Sequence, residues 1–283
     1  MTVGDLKMNI DTSDLVKVYL DKLSYFAYKE YNQNKEKSLI IFEHIIGNNE
    51  GFIYSAKNAS DYSVYIVVEN DNEACLSEIM LYLCDLLKIV DVTITLTIFS
   101  ENINILKYLH NSGFYDVYSS VSMMLKREEW IYQKDEIELI PYQVAHNTEY
   151  LDVLGDAFYP VREALDLVPY NWYQNNQKTA TEGFMMSSEK GCLFGYFVEK
   201  ELVGVLEIVE NEIETIAVKV QHQGKGVGTI LLNTAINMIF REDSNKEIFL
   251  SLLGGNQKAL RLYERQNFQI VGKQTILKKI SNK

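Results

Sequence analysis

Ile213-Glu214-Thr215-Ile216-Ala217-Val218-Lys219-Val220 is a β-branched, alternating run bounded by polar residues, and it predicts a strand. Just beyond it, Val227, Ile230, Leu231, Ala235, Met238 and Ile239 recur at helical spacing and predict an amphipathic helix. Between the two lies Gln223-Gly224-Lys225-Gly226-Val227-Gly228. A second strand-like run, Ile248–Leu253, precedes a helix expected over Gln257–Gln266, on which Leu260 and Tyr263 share a face. Upstream, the pattern predicts a strand over Ile137–Pro141 and a helix from Asn147 to Ala157. A Pro160–Pro169 segment that ends or redirects helices follows. Strands Cys192–Glu199 and Leu202–Glu210, joined by a Lys200-Glu201 turn, then lead into the glycine loop.

The same pattern occurs earlier in the chain. Displacing the sequence by 154 residues lays Asn102 on Asn256, Leu106 on Leu260, Lys107 on Arg261 and Phe114 on Phe268. Thr93–Phe99 then overlies Glu247–Leu253, and a helical run near Glu73–Leu87 overlies Val227–Arg241. The first half therefore reads as a second copy of one fold. In that register Gln223, Gly226 and Gly228 meet Glu69, Asn72 and Ala74, with Asp71 and Glu73 alongside, so the first copy has neither the glycines nor the charge to receive an anion. Tyr263 meets Leu109, beside Tyr108. Such a copy serves packing, the pairing of chains into a homodimer, or the shaping of a substrate cleft.

Composition sets bounds on this picture. A chain of 283 residues suits two domains of about 140. The boundary is expected in Glu128–Lys134, where Trp130 and Tyr132 sit among charged and polar residues and can pack the linker against one half. Hydrophobic residues at 47% and charged residues at 23% make the chain globular. A net charge of −12 without a basic block would repel a phosphate backbone, so nucleic acid is not an expected partner. The same charge would attract a cationic amine or simply keep the surface solvated. Cys75, Cys84 and Cys192 lack C-x-x-C spacing, and His44, His110, His146 and His222 are scattered, so neither a disulfide framework nor a metal site is expected. Residues 1–20 show no signal-like pattern and no run reaches membrane-spanning length, which reads as a cytoplasmic chain without a membrane partner.

The glycine loop carries the candidate chemistry. Glycines bring backbone N–H groups up to a ligand without Cβ obstruction, and the helix that follows adds unpaired donors and the positive end of its dipole. Neither G-x-G-x-x-G nor G-x-x-x-x-G-K-[ST] is present, which disfavours dinucleotide and Walker-type sites. Gln223, Gly226 and Gly228 do satisfy Q/R-x-x-G-x-G, and Asn256, Ala259 and Tyr263 follow as N-x-x-A-x-x-x-Y, with Asn267 at the turn before Phe268. With both motifs in order, the chain resembles the GCN5-related N-acetyltransferase (GNAT) family.

That resemblance implies an α/β (α+β) fold of two tandem GNAT-like domains, each a mixed, mostly antiparallel sheet with a splayed central strand pair flanked by helices. Residues 1–130 would be a degenerate copy and 131–283 the acetyl-CoA-binding one. It implies an acyltransferase that moves acetyl from the cosubstrate acetyl-CoA to the amine of a small molecule or peptide by direct attack in a ternary complex. The backbone of Ile216, Val218 and Val220 would pair with pantetheine, with the Val218 N–H polarising the thioester carbonyl. Gln223, Gly224, Lys225, Gly226, Val227, Gly228 and Thr229 would receive the pyrophosphate, and Asn256 the pantetheine arm. Tyr263 would protonate the departing thiolate. Glu212 and Glu214, two apart and on one side if pairing is regular, are alternative bases for the ammonium proton. Tyr159, Arg162, Glu163, Tyr170 and Trp172 are candidates to line the acceptor pocket, and His222 is expected in the loop near the phosphates rather than as a catalyst. The other reading of the same residues is a non-catalytic acyl-CoA-binding module that regulates or assembles.

Overall fold

A computed structural model describes residues 12–23, 27–47, 49–58, 61–86, 88, 93–132, 137–241 and 246–280. Parts of the linker and of the N-terminal segment discussed above, among them Gln133, Lys134 and residues 1–11, lie outside the described residues, as does Leu87.

In chain order the first half runs α1 (Thr12–Leu23), α2 (Ala27–Glu36), β1 (Ile40–Ile46), β2 (Gly51–Asn58), β3 (Asp61–Val68), α3 (Glu73–Leu86), β4 (Thr93–Phe99), α4 (Ile103–Asn111) and β5 (Tyr115–Lys126). The second runs β6 (Ile140–Pro141), α5 (Asn147–Ala164), α6 (Trp172–Asn175), α7 (Gln177–Glu189), β7 (Leu193–Val198), β8 (Glu201–Val209), β9 (Glu212–Val218), α8 (Val227–Arg241), β10 (Glu247–Leu253), α9 (Gln257–Glu264) and β11 (Gln269–Ile280). Glu73, Thr93, Ile103 and Tyr115 open their elements 154 residues before Val227, Glu247, Gln257 and Gln269 open theirs. The repeated register read from the side chains is thus a repeated order of elements.

The chain forms two compact units, one from a single stretch of sequence and one from two stretches that flank it. One comprises residues 1–119 with 272–283, the other 120–271, so a cut between 130 and 131 separates neither. In the first unit β1 to β4 are joined at β4 by residues 274–280 of β11, antiparallel, with Leu277 opposite Leu96. In the second, residues 120–126 of β5 pair antiparallel with β10 from Leu253 back to Glu247, and β9, β8, β7 and β6 follow. Each unit takes a strand from the other half of the sequence because strand pairing is a spatial rule, which sequence position does not constrain.

Both sheets are mostly antiparallel with one parallel pair at their centre, and each packs helices on both faces. In the first unit Ile66, Ile79, Leu83, Leu106 and Leu277 form the core on the α3–α4 side. Tyr19, Leu20, Tyr31, Phe52 and Tyr54 form that on the α1–α2 side. In the second, Leu125, Ile213, Leu231, Ile239, Leu250 and Phe268 face α8 and α9. Tyr150, Leu154, Phe184, Val205 and Ala217 face α5 and α7.

The central parallel pairs differ in the way that matters. In the first unit β3 and β4 stay paired from Asp61–Thr93 to Ile66–Ile98. In the second, β9 and β10 pair only at Glu212–Phe249 and Ile213–Leu250 and then diverge. The splay expected in each half is therefore present only in the second.

Local expectations needed adjustment in several places. Helix α5 continues past Ala157 to Ala164 with Pro160 inside it; Pro160 lies on the exposed side, where water can reach the Asp156 carbonyl that loses its helical donor. Only Ile140 and Pro141 of the expected 137–141 strand enter a ladder, while Ile137 and Leu139 pack instead on the α8 core. The β7–β8 hairpin turns at Glu199 and Lys200, both at positive φ, one residue before the expected turn. Strand β9 starts at Glu212 and stops at Val218, and a short 3-10 turn covers Val220–His222. The linker is anchored within the second unit: Trp130 donates from Nε1 to Asn237 Oδ1 at 3.2 Å, whereas Tyr132 is exposed.

Replacing Leu277, fully buried, by Ala is expected to weaken the unit built mainly from residues 1–119 by about 2–5 kcal/mol, although Leu277 lies near the C-terminus. Hydrogen exchange resolved by segment checks this: amides of β3 and β4 should lose protection before those of β8 and β9.

Candidate functional site

The glycine loop sits where β9 ends and α8 begins. Gly224 and Gly226 have φ of +73° and +85°, a region that L side chains rarely adopt, and a Cβ at either would meet nothing within 4 Å. The positions are therefore glycine for conformational reasons, and the space in front of them is open. At the first turn of α8, Thr229 and Ile230 donate to the Gly226 carbonyl, at 3.0 and 3.1 Å. Among the described residues the N–H groups of 224 to 228 find no partner. Five successive donors at the positive end of a helix, beside an exposed Lys225, make an arrangement that favours negative charge. Gln223 ties the loop to the strand by donating from Nε2 to the Val218 carbonyl at 3.0 Å.

The equivalent mouth in the first unit is closed. Asn72 caps α3 by accepting the Cys75 N–H at 2.9 Å, and its amide donates to Glu50 Oε2, also at 2.9 Å. The Cys75 thiol donates to the same oxygen at 3.0 Å, and Asp71 accepts the Asn104 N–H at 2.6 Å. Hydrogen bonds from Cys75 and then Asn72 hold the Glu50 pKa below its ordinary value, keeping the carboxylate charged there. Buried beside that carboxylate, Cys75 has its thiol pushed up to about 12. Side chains thus take up donors at this helix mouth.

The divergence of β9 and β10 leaves backbone groups facing a gap. Lys219 N–H donates to Val203 O at 2.9 Å, toward β8, and by antiparallel alternation the N–H groups of Val218 and Ile216 point the other way. That side has no ladder, since the pairing with β10 has ended at Ile213. The Val218 N–H is thus free for a ligand, while its carbonyl is already engaged by Gln223. Val220 lies beyond the strand in the 3-10 turn, so it does not continue the row that Ile216 and Val218 begin.

Around the gap stand the candidate proton carriers. Tyr263 on α9 is only 6% exposed, packs edge-tilted against Phe268, and burial raises its pKa, so it stays protonated at neutral pH. Asn267 adopts the expected positive φ, +65°. Asn256 caps α9, its Oδ1 accepting the Ala259 N–H at 3.2 Å, so only its amide nitrogen remains to be offered to a pantetheine arm.

Glu212 is 5% exposed and its Oε2 has no hydrogen-bond partner. Burial, then the Glu214 charge, raise its pKa to about 8. Glu214 does not share its setting. The β8–β9 register passes from Glu207–Thr215 to Ile208–Ile213, leaving Glu214 as the extra residue of a bulge and exposed, its pKa raised by desolvation and then by Glu207. Regular pairing, which would have set the two glutamates side by side, is absent.

Among the residues suggested for the acceptor pocket, the exposed Tyr159 donates to Glu163, Tyr170 bonds Asp166, and Arg162 donates to the carbonyls of Leu167 and Pro169. Arg162 therefore holds the 165–169 loop. His222 turns toward Glu201, 3.4 Å away, which also pairs with Lys219 at 2.7 Å. The side chains missed from the sequence are Glu207, Ser187 and Thr215: Ser187 Oγ donates to Glu207 Oε1 at 2.6 Å and Thr215 Oγ1 to Oε2 at 3.1 Å. A single carboxylate within the otherwise apolar stretch 202–209 was the available signal.

Residues 149–268 match the sequence profile described as the Acetyltransferase (GNAT) family. A GNAT-family acetyltransferase structure from Colwellia psychrerythraea superposes with a TM-score of 0.55 at 13% identity, covering 96% of each chain. A GCN5-related N-acetyltransferase from Sphaerobacter thermophilus does so with 0.50 at 15% identity, over 83% of this chain and 78% of the other. A tandem GNAT protein from the clavulanic acid biosynthesis pathway gives 0.51 at 12%, over 96% and 97%. At such identities these likenesses speak for the fold. No curated protein sequence matches the chain. The profile match lies across the glycine loop, the splayed strands and Tyr263, so residues 149–268 are the stretch in which this chain is similar to the GNAT acetyltransferase family.

Proposed function

We propose that the chain is an acetyl-CoA-dependent N-acetyltransferase whose 120–271 unit is the working one, the first unit being a degenerate copy of the same fold. The observation that carries this reading is the run of unpaired amides at 224–228 together with the free N–H groups of Val218 and Ile216 in the β9–β10 gap. Acetyl-CoA, the usual donor of the family, presents a diphosphate, an amide-bearing arm and a thioester carbonyl, and these chemistries meet the loop, the gap and the Val218 N–H in that order.

The chain's own groups then divide the work. Glu212 takes the proton from the incoming ammonium, directly or through one water, so that the neutral amine can form its N–C bond as the C–S bond breaks. The Val218 N–H faces the carbonyl oxygen where negative charge develops. Tyr263 returns a proton to the sulfur. Glu212 is the better base of the two candidates because its burial places its pKa where the ionised form is both present and basic near pH 8. Lacking such burial by area, Glu214 acts on Glu212 through its charge. The first unit, with its paired central strands and self-capped helix mouth, fits a role in packing or in pairing chains.

Three outcomes follow. Thiol release from acetyl-CoA should appear with at least one member of an amine panel; saturable acetyl-CoA binding without turnover would favour the non-catalytic module instead. Gly226→Val, which forces a β-branched residue to positive φ, should weaken acetyl-CoA binding in calorimetry at least tenfold while the circular dichroism of the fold is kept. Tyr263→Phe should lower kcat on the order of 10²-fold with acetyl-CoA affinity unchanged, and a wild-type rate would remove Tyr263 from the mechanism.

The pH dependence has a definite sign. Since the folded-state pKa of Glu212 lies above the ordinary carboxylate range, the group is protonated below about pH 8, and kcat/KM should climb as pH rises through that value. In Glu212→Gln this limb should vanish. Stability runs oppositely: the buried group favours the fold while protonated and withdraws that support as pH rises through about 8. Thermal melting of Glu212→Gln should accordingly fall less than that of the native chain between pH 6 and pH 9.

A further inference from the structure

The face of the second sheet covered by α5, α6 and α7 carries a charge problem that the residues themselves do not solve. Val205 and Ala217, a cross-strand pair, pack into the core on that face, and Glu207 with Thr215 is the next pair in the same alternation. Past the bulge, Glu212 pairs with Val209 and again takes this face, since Ile213 and Ile208 point into the α8 core. Glu207 and Glu212 thus line one wall, with Glu214 at the bulge between them along β9.

Among the described residues none of the three carboxylates forms an ion pair. Glu207 receives only neutral hydroxyls, from Ser187 and Thr215. Glu212, more than nine-tenths buried, directs an oxygen with no partner into this wall. Arg162 is spent on the Leu167 and Pro169 carbonyls. Its charge is nonetheless sensed at Tyr173, where burial and then Glu207 push the hydroxyl up to about 12 and Arg162 pulls it down. A buried carboxylate without a counter-ion is costly once it is ionised, and a bound cation is what would then relieve it.

We infer that the accepted amine is a dication, a short diamine or polyamine, whose reacting nitrogen lies at Glu212 and whose second ammonium is read by Glu207. This rests on the acetyl-transfer reading above. Glu207 stands two residues along β8 from the partner of Glu212, roughly 7 Å in strand rise, which suits the reach of 1,4-diaminobutane. Glu207 is a specificity residue here: it recognises the far end of the substrate and moves no proton. The Ser187 and Thr215 hydroxyls hold its carboxylate in place and, unlike a lysine, leave its charge uncancelled.

The test compares 1,4-diaminobutane, butylamine and alanine as acceptors, with the full chain and with Glu207→Gln, whose amide can keep both hydroxyl contacts because hydroxyl groups rotate to donate or accept. The native chain should prefer the diamine to butylamine at least tenfold in kcat/KM. In Glu207→Gln that ratio should fall to near one through a rise in the diamine KM, with kcat for the diamine held within about threefold. Glu207→Asp, which restores the charge, should recover part of the preference. Equal use of the three acceptors, or a preference unmoved by Glu207→Gln, overturns the inference while leaving acetyl transfer intact. If no amine releases thiol, acetyl transfer itself fails, and calorimetry with 1,4-diaminobutane still decides: binding that Glu207→Gln abolishes supports the dication site, and no binding removes it.

Discussion

Backbone N–H and C=O groups removed from bulk water need partners, and the second unit is organised around a place where the fold withholds them. Strands β9 and β10 hold each other for two residue pairs and then part, so Ile216 and Val218 present donors to a gap with no strand in it. Beyond the 3-10 turn that follows the strand, the glycine loop adds a second set of unpaired donors at residues 224–228. Everything else in the unit supports this opening. The bulge at Glu214 re-aims the strand, Gln223 ties the loop to Val218, and α8 and α9 bury their apolar faces in one core with β9 and β10. A ligand able to act as a strand along the gap and as an anion at the loop satisfies both sets of donors together.

The first unit shows what happens when the same plan is completed from within. Its parallel pair runs on for the length of β3, its helix mouth is capped by Asn72, and carboxylates from Glu50 and Asp71 take the amide and backbone donors nearby. Two architectures of the same element order therefore differ in whether polar backbone is satisfied by the chain or left for something else.

Much of this was legible beforehand, and the physical reason is locality. The loop, the flanking strand and helix, the cap at Asn256 and the positive φ at Asn267 depend on neighbouring residues, so their signals lie within a few positions. The 154-residue echo was legible because the apolar positions that bury each element recur at the same offset as the elements themselves. What escaped depends on partners distant in sequence. The insertion at Glu214 is defined only against Glu207 and Ile208 on β8, the continuation of α5 through Pro160 depends on which side of that helix meets water, and Glu207 gains meaning only once Ser187 and Thr215 turn toward it. The exchange of β5 and β11 between units is the extreme case, since each strand looks like the natural end of its own half.

That exchange bears on how the protein is made. On a ribosome β4 emerges early, yet the strand that closes its open edge, β11, is translated only after every element of the second unit. Until then the nascent first unit displays an unpaired edge beside Leu96 and Ile98, the kind of template on which other chains associate. The second unit is one contiguous stretch, whereas the first is complete only once β11 has been made.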